Sequence, residues 1–105
     1  MSTYLLKILT HSEKIYDSKV VSTTVTCENG QLTILAKHAP MVALLKEGPV
    51  IIRTEQETIT GVAGRGVLHV DRDETAAMLH SFKWAGEETD ADSSEEDSAK
   101  KEILL

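Results

Sequence analysis

Between Tyr4 and Trp84 the apolar positions come in short runs of β-branched and aliphatic residues, cut at close intervals by Asn, Gly, Pro and Asp, and no stretch keeps a helical period. This is the pattern of an all-β chain. It predicts strands over Tyr4–Leu9, Lys19–Thr26, Gln31–Leu35, Pro49–Thr54, Glu57–Val62, Gly66–Val70 and Thr75–Lys83. In Lys19–Thr26, Val21 and Val25 fall on one face and Ser22, Thr24 and Thr26 on the other, with Thr23 blurring the alternation. Ala76, Met78, His80, Phe82 and Trp84 would share one face of the last strand. Strands of this kind bury one face each, so the expected fold is a flattened antiparallel β-sandwich.

Turn chemistry supports the division. Asn29-Gly30 predicts a tight type I′ hairpin, because both residues tolerate positive φ. Glu55-Gln56 and Asp71-Arg72-Asp73 read as further hairpin tips. Gly61, Gly64 and Gly66 suggest a phosphate cradle by spacing, but a cradle needs a helix N-terminus after it, and Val67-Leu68-His69-Val70 reads as a strand. These glycines are therefore assigned to a bend or bulge. Gly30, Gly48, Gly64 and Gly66 are the expected backbone devices.

The segment from Lys37 to Pro49 is too apolar for an exposed loop, yet Pro40 and Gly48-Pro49 make it a poor strand or long helix. Two readings stay open: a plug closing one end of the sandwich, and a hydrophobic contact surface with Met41 or Val42 facing outward.

From Ala85 the character changes. Residues 1–86 hold nine acids and nine bases, whereas 87–105 hold eight acids against Lys100 and Lys101, so the net charge of −6 belongs to the tail. Two regions follow, a sandwich domain over 1–85 and an acidic tail over 86–105. The tail has too little apolar surface to offset chain entropy, and is either flexible or ends in one short helix running to Ile103, Leu104 and Leu105. A neutral body with an acidic tail is a poor match to nucleic acid or anionic lipid. The longest apolar run of the body, Met41–Leu45, is far short of the roughly 20 residues that span a bilayer. No direct membrane insertion is expected. The lone Cys27 and an N-terminus without signal-peptide layout fit a reducing, cytoplasmic compartment.

Candidate chemistry is sparse. His11, His38, His69 and His80 form no ligand or catalytic spacing, and Cys27 is read as a strand-end thiol with no histidine nearby in sequence. His69, Asp71 and Asp73 alternate onto one side of an extended segment and offer a metal one nitrogen and two oxygens, but the polar hairpin reading of Asp71–Glu74 is preferred. His80 is read as a half-buried structural residue. No catalytic residue, metal site or cofactor is assigned. The acids of the tail lack the fixed geometry that acid–base work requires.

The run from Glu28-Asn29-Gly30-Gln31 through Lys37-His38-Ala39-Pro40 to Lys46-Glu47-Gly48 resembles the epsilon subunit of F-type ATP synthases, whose signature places a glycine hairpin before Gly-His-Ala-Pro, an apolar turn and Lys-x-Gly. Val62–Val70 is similar to that family's Gly-Gly-x-x-Glu-Val strand, and Ile15-Tyr16-Asp17-Ser18 to the turn after its first strand. The resemblance covers residues 4 to about 84. Lys37 stands for the glycine before His-Ala-Pro, Gln31 for the acid after the hairpin glycine, and Thr33 for a second glycine.

That resemblance implies a non-catalytic central-stalk subunit that links the gamma subunit to the c-ring and couples ion flow to ATP synthesis, on the cytoplasmic face of the inner (plasma) membrane. It makes Glu28, Gln31, His38, Met41 and Val42 the candidate contacts to gamma and ring, with Gln31, His38 and Met41 expected to be exposed. Residues 86–105 are too short and too acidic for the family's two-helix C-terminal hairpin, so no brake on ATP hydrolysis and no nucleotide site are expected from them. The alternative is a free-standing β-sandwich module that binds a ligand or another protein.

Overall fold

The computed structural model describes residues 2–85, which form ten strands: β1 (Tyr4–Leu9), β2 (Lys14–Val20), β3 (Ser22–Cys27), β4 (Gly30–Leu35), β5 (Met41–Leu45), β6 (Gly48–Arg53), β7 (Thr58–Ala63), β8 (Gly66–Val70), β9 (Glu74–Leu79) and β10 (Phe82–Trp84). They run in one continuous order, β10-β7-β6-β3-β5-β8-β9-β1-β2, with β4 added on β3. The order folds over where β3 meets β5, joined by the single pair Cys27–Leu45 and by the Lys46 amide donating to the Thr26 carbonyl at 3.0 Å. One layer is β4-β3-β6-β7-β10 and the other β5-β8-β9-β1-β2. The ring contact of Tyr16 on β2 with Trp84 on β10, centroids 5.7 Å apart, brings the two far edges together, so the sandwich is nearly a closed barrel. All pairs are antiparallel except β1 with β9, which run parallel.

The core follows from strand alternation. Leu6, Ile8, Val20, Val25, Ile34, Ile52, Leu68 and Val70 are fully buried between the layers. Each comes from a strand whose alternate residues look outward, as the period of two requires. The two layers are also tied by a polar clasp: the Tyr4 hydroxyl on β1 lies 2.7 Å from the Thr23 hydroxyl and 2.9 Å from the Ile34 carbonyl, both across the sandwich. Thr23 therefore shares the buried face with Val21 and Val25 because it has a partner there.

Burial pushes the Tyr4 phenol up to about 12, against the lowering effect of the Thr23 hydrogen bond. The folded state holds that proton when the unfolded chain, at 10.0, has already lost it. The stability of the buried neutral phenol is thus intact below pH 10 and is lost as pH rises towards and through 12, a change of about 2–3 kcal/mol. Comparison of Tyr4→Phe with the parent by urea unfolding should show a stability gap that narrows over this window. A constant gap would contradict it.

Four expectations need correction. The predicted Lys19–Thr26 strand is the end of β2 and most of β3, separated by a corner at Val21, whose amide donates to the Arg53 carbonyl at 2.6 Å. The predicted Thr75–Lys83 strand likewise breaks at His80-Ser81 into β9 and β10. Alternation restarts at such a corner, so the five residues expected on one face divide: on β9 Ala76 and Met78 look outward while Thr75, Ala77 and Leu79 are buried, and on β10 Phe82 and Trp84 pack against the core. Met41–Leu45, read as a plug or contact loop and a poor strand, is β5. Pro40 precedes the strand, and Pro49 sits on β6 before its ladder with β3 begins at Ile51, so neither proline interrupts a two-sided ladder. The Asn29-Gly30 turn is not type I′: Cys27 pairs with Gly30, Glu28 and Asn29 form the tip, and positive φ falls on Gly30 alone of these, at 121°. A glycine just after the tip absorbs the turn instead.

Thr75 on β9 is 1% exposed and its hydroxyl has no hydrogen-bond partner among the described residues. An unsatisfied buried hydroxyl costs about 1–3 kcal/mol. Thr75→Val keeps the shape and removes the cost, so the melting temperature should rise by several degrees. A fall would show that the hydroxyl is satisfied.

Candidate functional site

The outward faces of the two layers differ in what they leave exposed. On the β5-β8-β9-β1 layer, register aligns Leu44 with Val67, Val67 with Met78, and Met78 with Leu9 in one row, and Val42, His69, Ala76 and Lys7 in the next. Leu44 is 76%, Val42 62% and Met78 48% exposed, while Val67, Leu9 and Ala76 are half-buried. The result is a contiguous apolar patch on the outside of a sheet whose inner face already carries the core. Charge lies at its border: Lys7 is paired with Glu74 at 3.5 Å, and His69 Nδ1 lies 3.9 Å from Asp71 Oδ2. Leu35 and Val62, the other large exposed apolar residues, stand on the opposite layer.

A solvated patch of this kind marks a docking surface rather than a reaction site. Among the described residues no three His, Cys, Asp or Glu side chains gather as metal ligands, and Asp71 and Asp73 flank a hairpin tip, where the Asp71 amide donates to the Glu74 carbonyl at 2.8 Å. His80 is exposed rather than half-buried. Cys27 ends β3 as a half-buried thiol.

One end of the sandwich is built from paired corners. The β7–β8 corner at Gly64-Arg65 and the β9–β10 corner at His80-Ser81 are hydrogen-bonded side by side, Gly64 N to Ser81 O and His80 N to Arg65 O, each at 2.8 Å. The Gly48 and Gly66 positions are crowded: a β-carbon would lie 2.6 Å from Thr26 Oγ1 at Gly48, and would run into the Met78 carbonyl at Gly66. These corners carry Arg65 and His80 outward beside Leu44.

The five candidate contact residues do not form one site. Glu28 and Gln31 are exposed at the β3–β4 tip, on the corner end, where Glu28 borders a groove with Leu44, Leu45, Lys46 and Arg65. His38 and Met41 lie at the opposite end of β4 and β5 and are half-buried rather than exposed, Met41 packing against the core. The connection there is fixed by the Lys37 amide donating to the Arg72 carbonyl at 3.2 Å and by His38 Nδ1 at 2.7 Å from the Ala39 carbonyl. Val42 joins the apolar patch. Leu44, Val67 and Met78 were missed because β5 was not read as a strand, so nothing placed β5, β8 and β9 side by side; alternation in Val42-Ala43-Leu44 was the available signal.

Lys37 adopts φ of 65°, the left-handed region that glycine occupies without cost. Lys37→Gly should therefore stabilise the fold by about 0.5–1 kcal/mol, read as a higher urea midpoint. An unchanged or lower midpoint would count against strain at this turn.

Comparison with known proteins agrees with this geometry. Residues 3–85 match the family described as ATP synthase, Delta/Epsilon chain, beta-sandwich domain. The chain is 32% identical over 104 residues to the ATP synthase epsilon chain of Alkaliphilus oremlandii, covering 99% of this chain and 77% of that one. Other epsilon chains are covered over as little as 61% of their length. Among solved structures, the fold is similar to a chain of the Euglena gracilis mitochondrial ATP synthase (TM-score 0.74, 20% identity, 78% of this chain and 53% of that one). It is also similar to one from the central stalk and c-ring of the Tetrahymena thermophila enzyme (TM-score 0.69, 16% identity, 99% and 82%). With the nearly closed sandwich, the family match over 3–85 and the similarity that spans 77% of an epsilon chain's length, this chain belongs to the ATP synthase epsilon family.

Proposed function

We propose that the chain is a non-catalytic central-stalk subunit of an F-type ATP synthase, seated on the gamma subunit by the outer face of β5, β8, β9 and β1. The observation that carries this reading is the aligned outward-facing apolar row of exposed Leu44, half-buried Val67 and exposed Met78, which has no use inside a monomer. The ends of the same layer are left for the c-ring, to which either the Glu28–Gln31 tip or the His38 turn would be presented. Gln31 offers neutral hydrogen bonds there and Glu28 supplies the charge. In this position the subunit transmits rotation between ring and gamma, on the cytoplasmic face of the membrane. No helix among the described residues is long and apolar enough to cross a membrane, in keeping with peripheral attachment.

Residues 86–105 lie outside the described residues. Their eight acids against two lysines make them a poor inhibitor of the catalytic hexamer, so this segment is not proposed as a brake. Removing 86–105 should leave the ATPase rate of the assembled complex close to the parent's, and a large rise would reverse that assignment.

The test of the main reading is native mass spectrometry of the full chain mixed with the gamma subunit of the same organism. A one-to-one complex at micromolar concentration, an association of about 8 kcal/mol, is expected. Two separate masses would contradict the central-stalk assignment.

A further inference from the structure

Beside the apolar row, two adjoining grooves of about 480 and 380 Å³ meet at Arg65. Leu44 and Leu45 form the apolar wall of both; Gly66, Val67 and His80 complete the first, Glu28 and Lys46 the second. Among the described residues Arg65 has no carboxylate within ion-pairing distance, a state it shares with every Lys and Arg except Lys7 and Lys14; what sets it apart is its place on the border of both grooves. The side chain is exposed, and its backbone is held rigidly because its carbonyl accepts from the His80 amide. Thus an unpaired guanidinium is presented from a hydrogen-bonded corner at the edge of an apolar groove, with Lys46 and His80 also lining the pair of grooves and Glu28 as the one acid. This basic corner belongs to a chain whose net charge is −6.

We infer that the corner at Arg65 receives a carboxylate carried on an apolar segment of the partner that covers Leu44, and that this pairing sets the register of docking. The inference rests on the gamma seating proposed above. Its argument is the unpaired positive charge of the corner together with continuity: the Leu44 side chain belongs to the apolar row and to both grooves, so a partner covering the row reaches Arg65 without a gap. An arginine is suited to this, because its planar fork meets a carboxylate in a bidentate geometry that a lysine cannot reproduce. Covering the apolar wall also removes water from the pair, which strengthens it relative to a pair at an open rim.

The test uses the full chain and the purified gamma subunit, with affinity measured from about 50 to about 500 mM salt. The parent should weaken with salt. Arg65→Glu should lose about 10- to 50-fold at low salt and have a flatter or reversed salt dependence, and Arg65→Lys should fall between the two. Each variant is checked for an unchanged melting curve. If Arg65→Glu binds gamma as well as the parent does, the inference is overturned. Tighter binding by Arg65→Glu also overturns it, because it would place a cation opposite the corner. Leu44→Glu separates the two proposals: loss of binding there with none at Arg65→Glu leaves the seating in place and removes only the carboxylate. A parent chain that does not bind gamma removes both.

Discussion

Leu44→Glu should weaken gamma binding by about 100-fold or more while shifting the melting temperature by no more than about 2 °C. The two halves of this expectation have separate causes. Leu44 is the most exposed large apolar residue of the described chain and points away from the core, so its loss removes almost no buried surface from the folded monomer. In a complex it would be the β5 end of the row shared with Val67 and Met78, where covered apolar anchors contribute about 2 kcal/mol or more each, and a carboxylate there would be desolvated without a partner. Val62→Glu is the matched control, since Val62 is also an exposed apolar strand residue but on the opposite layer. It should leave binding within about threefold of the parent. Equal losses from both variants would point to non-specific stickiness, and no loss from either would place the seat elsewhere.

Gly66→Ala should be the most damaging single methyl in the fold, costing about 3 kcal/mol or more, enough to unfold much of a domain of marginal stability. Gly66 begins β8 and sits between two ladder partners, Leu45 on β5 and Leu79 on β9. A β-carbon there would run into the Met78 carbonyl and approach Leu79 Cα and Cδ2 to 2.9 Å. Two of those three atoms are backbone in a paired strand and cannot rotate away. Gly64→Ala offers the contrast, because the nearest atom is Ser81 Oγ at 2.5 Å, a hydroxyl that can turn aside, and the cost should stay near 1 kcal/mol. Urea midpoints of the two variants decide it. If Gly64→Ala is the more damaging, the close approach at β8 is not what fixes this end of the sandwich.

What could be read from the sequence depended on whether the signal was local. β1 and β8 have the bounds their alternation predicts, and the Glu55-Gln56 tip closes as expected, with the Thr54 hydroxyl accepting from the Gln56 and Glu57 amides at 3.2 and 3.0 Å. The corners at Val21 and His80-Ser81 were invisible because a chain that passes from one layer to the other keeps its β-propensity while its facing changes. Nothing in the residues of Thr75–Lys83 marks that step; its cause is the neighbouring corner at Gly64-Arg65, far away in sequence and bonded beside it. β5 was hidden for the opposite reason, since Pro40 and Pro49 are local signals against a strand that the tertiary ladder renders harmless. The resemblance carried by Lys37-His38-Ala39-Pro40 led to the right family, and also drew attention to His38 and Met41, which are half-buried at the other end of β5 from Glu28. The apolar row could be assembled only once β5, β8 and β9 were known to be adjacent.

The most direct test of the seating is methyl NMR of the full chain, labelled at leucine, valine and methionine methyls, with unlabelled gamma added. Leu44, Val42, Val67 and Met78 methyls should shift or broaden at stoichiometric gamma, while Leu35 and Val62 on the opposite layer keep their positions. Changes confined to Leu35 and Val62, with the Leu44 row untouched, would contradict docking through β5, β8 and β9.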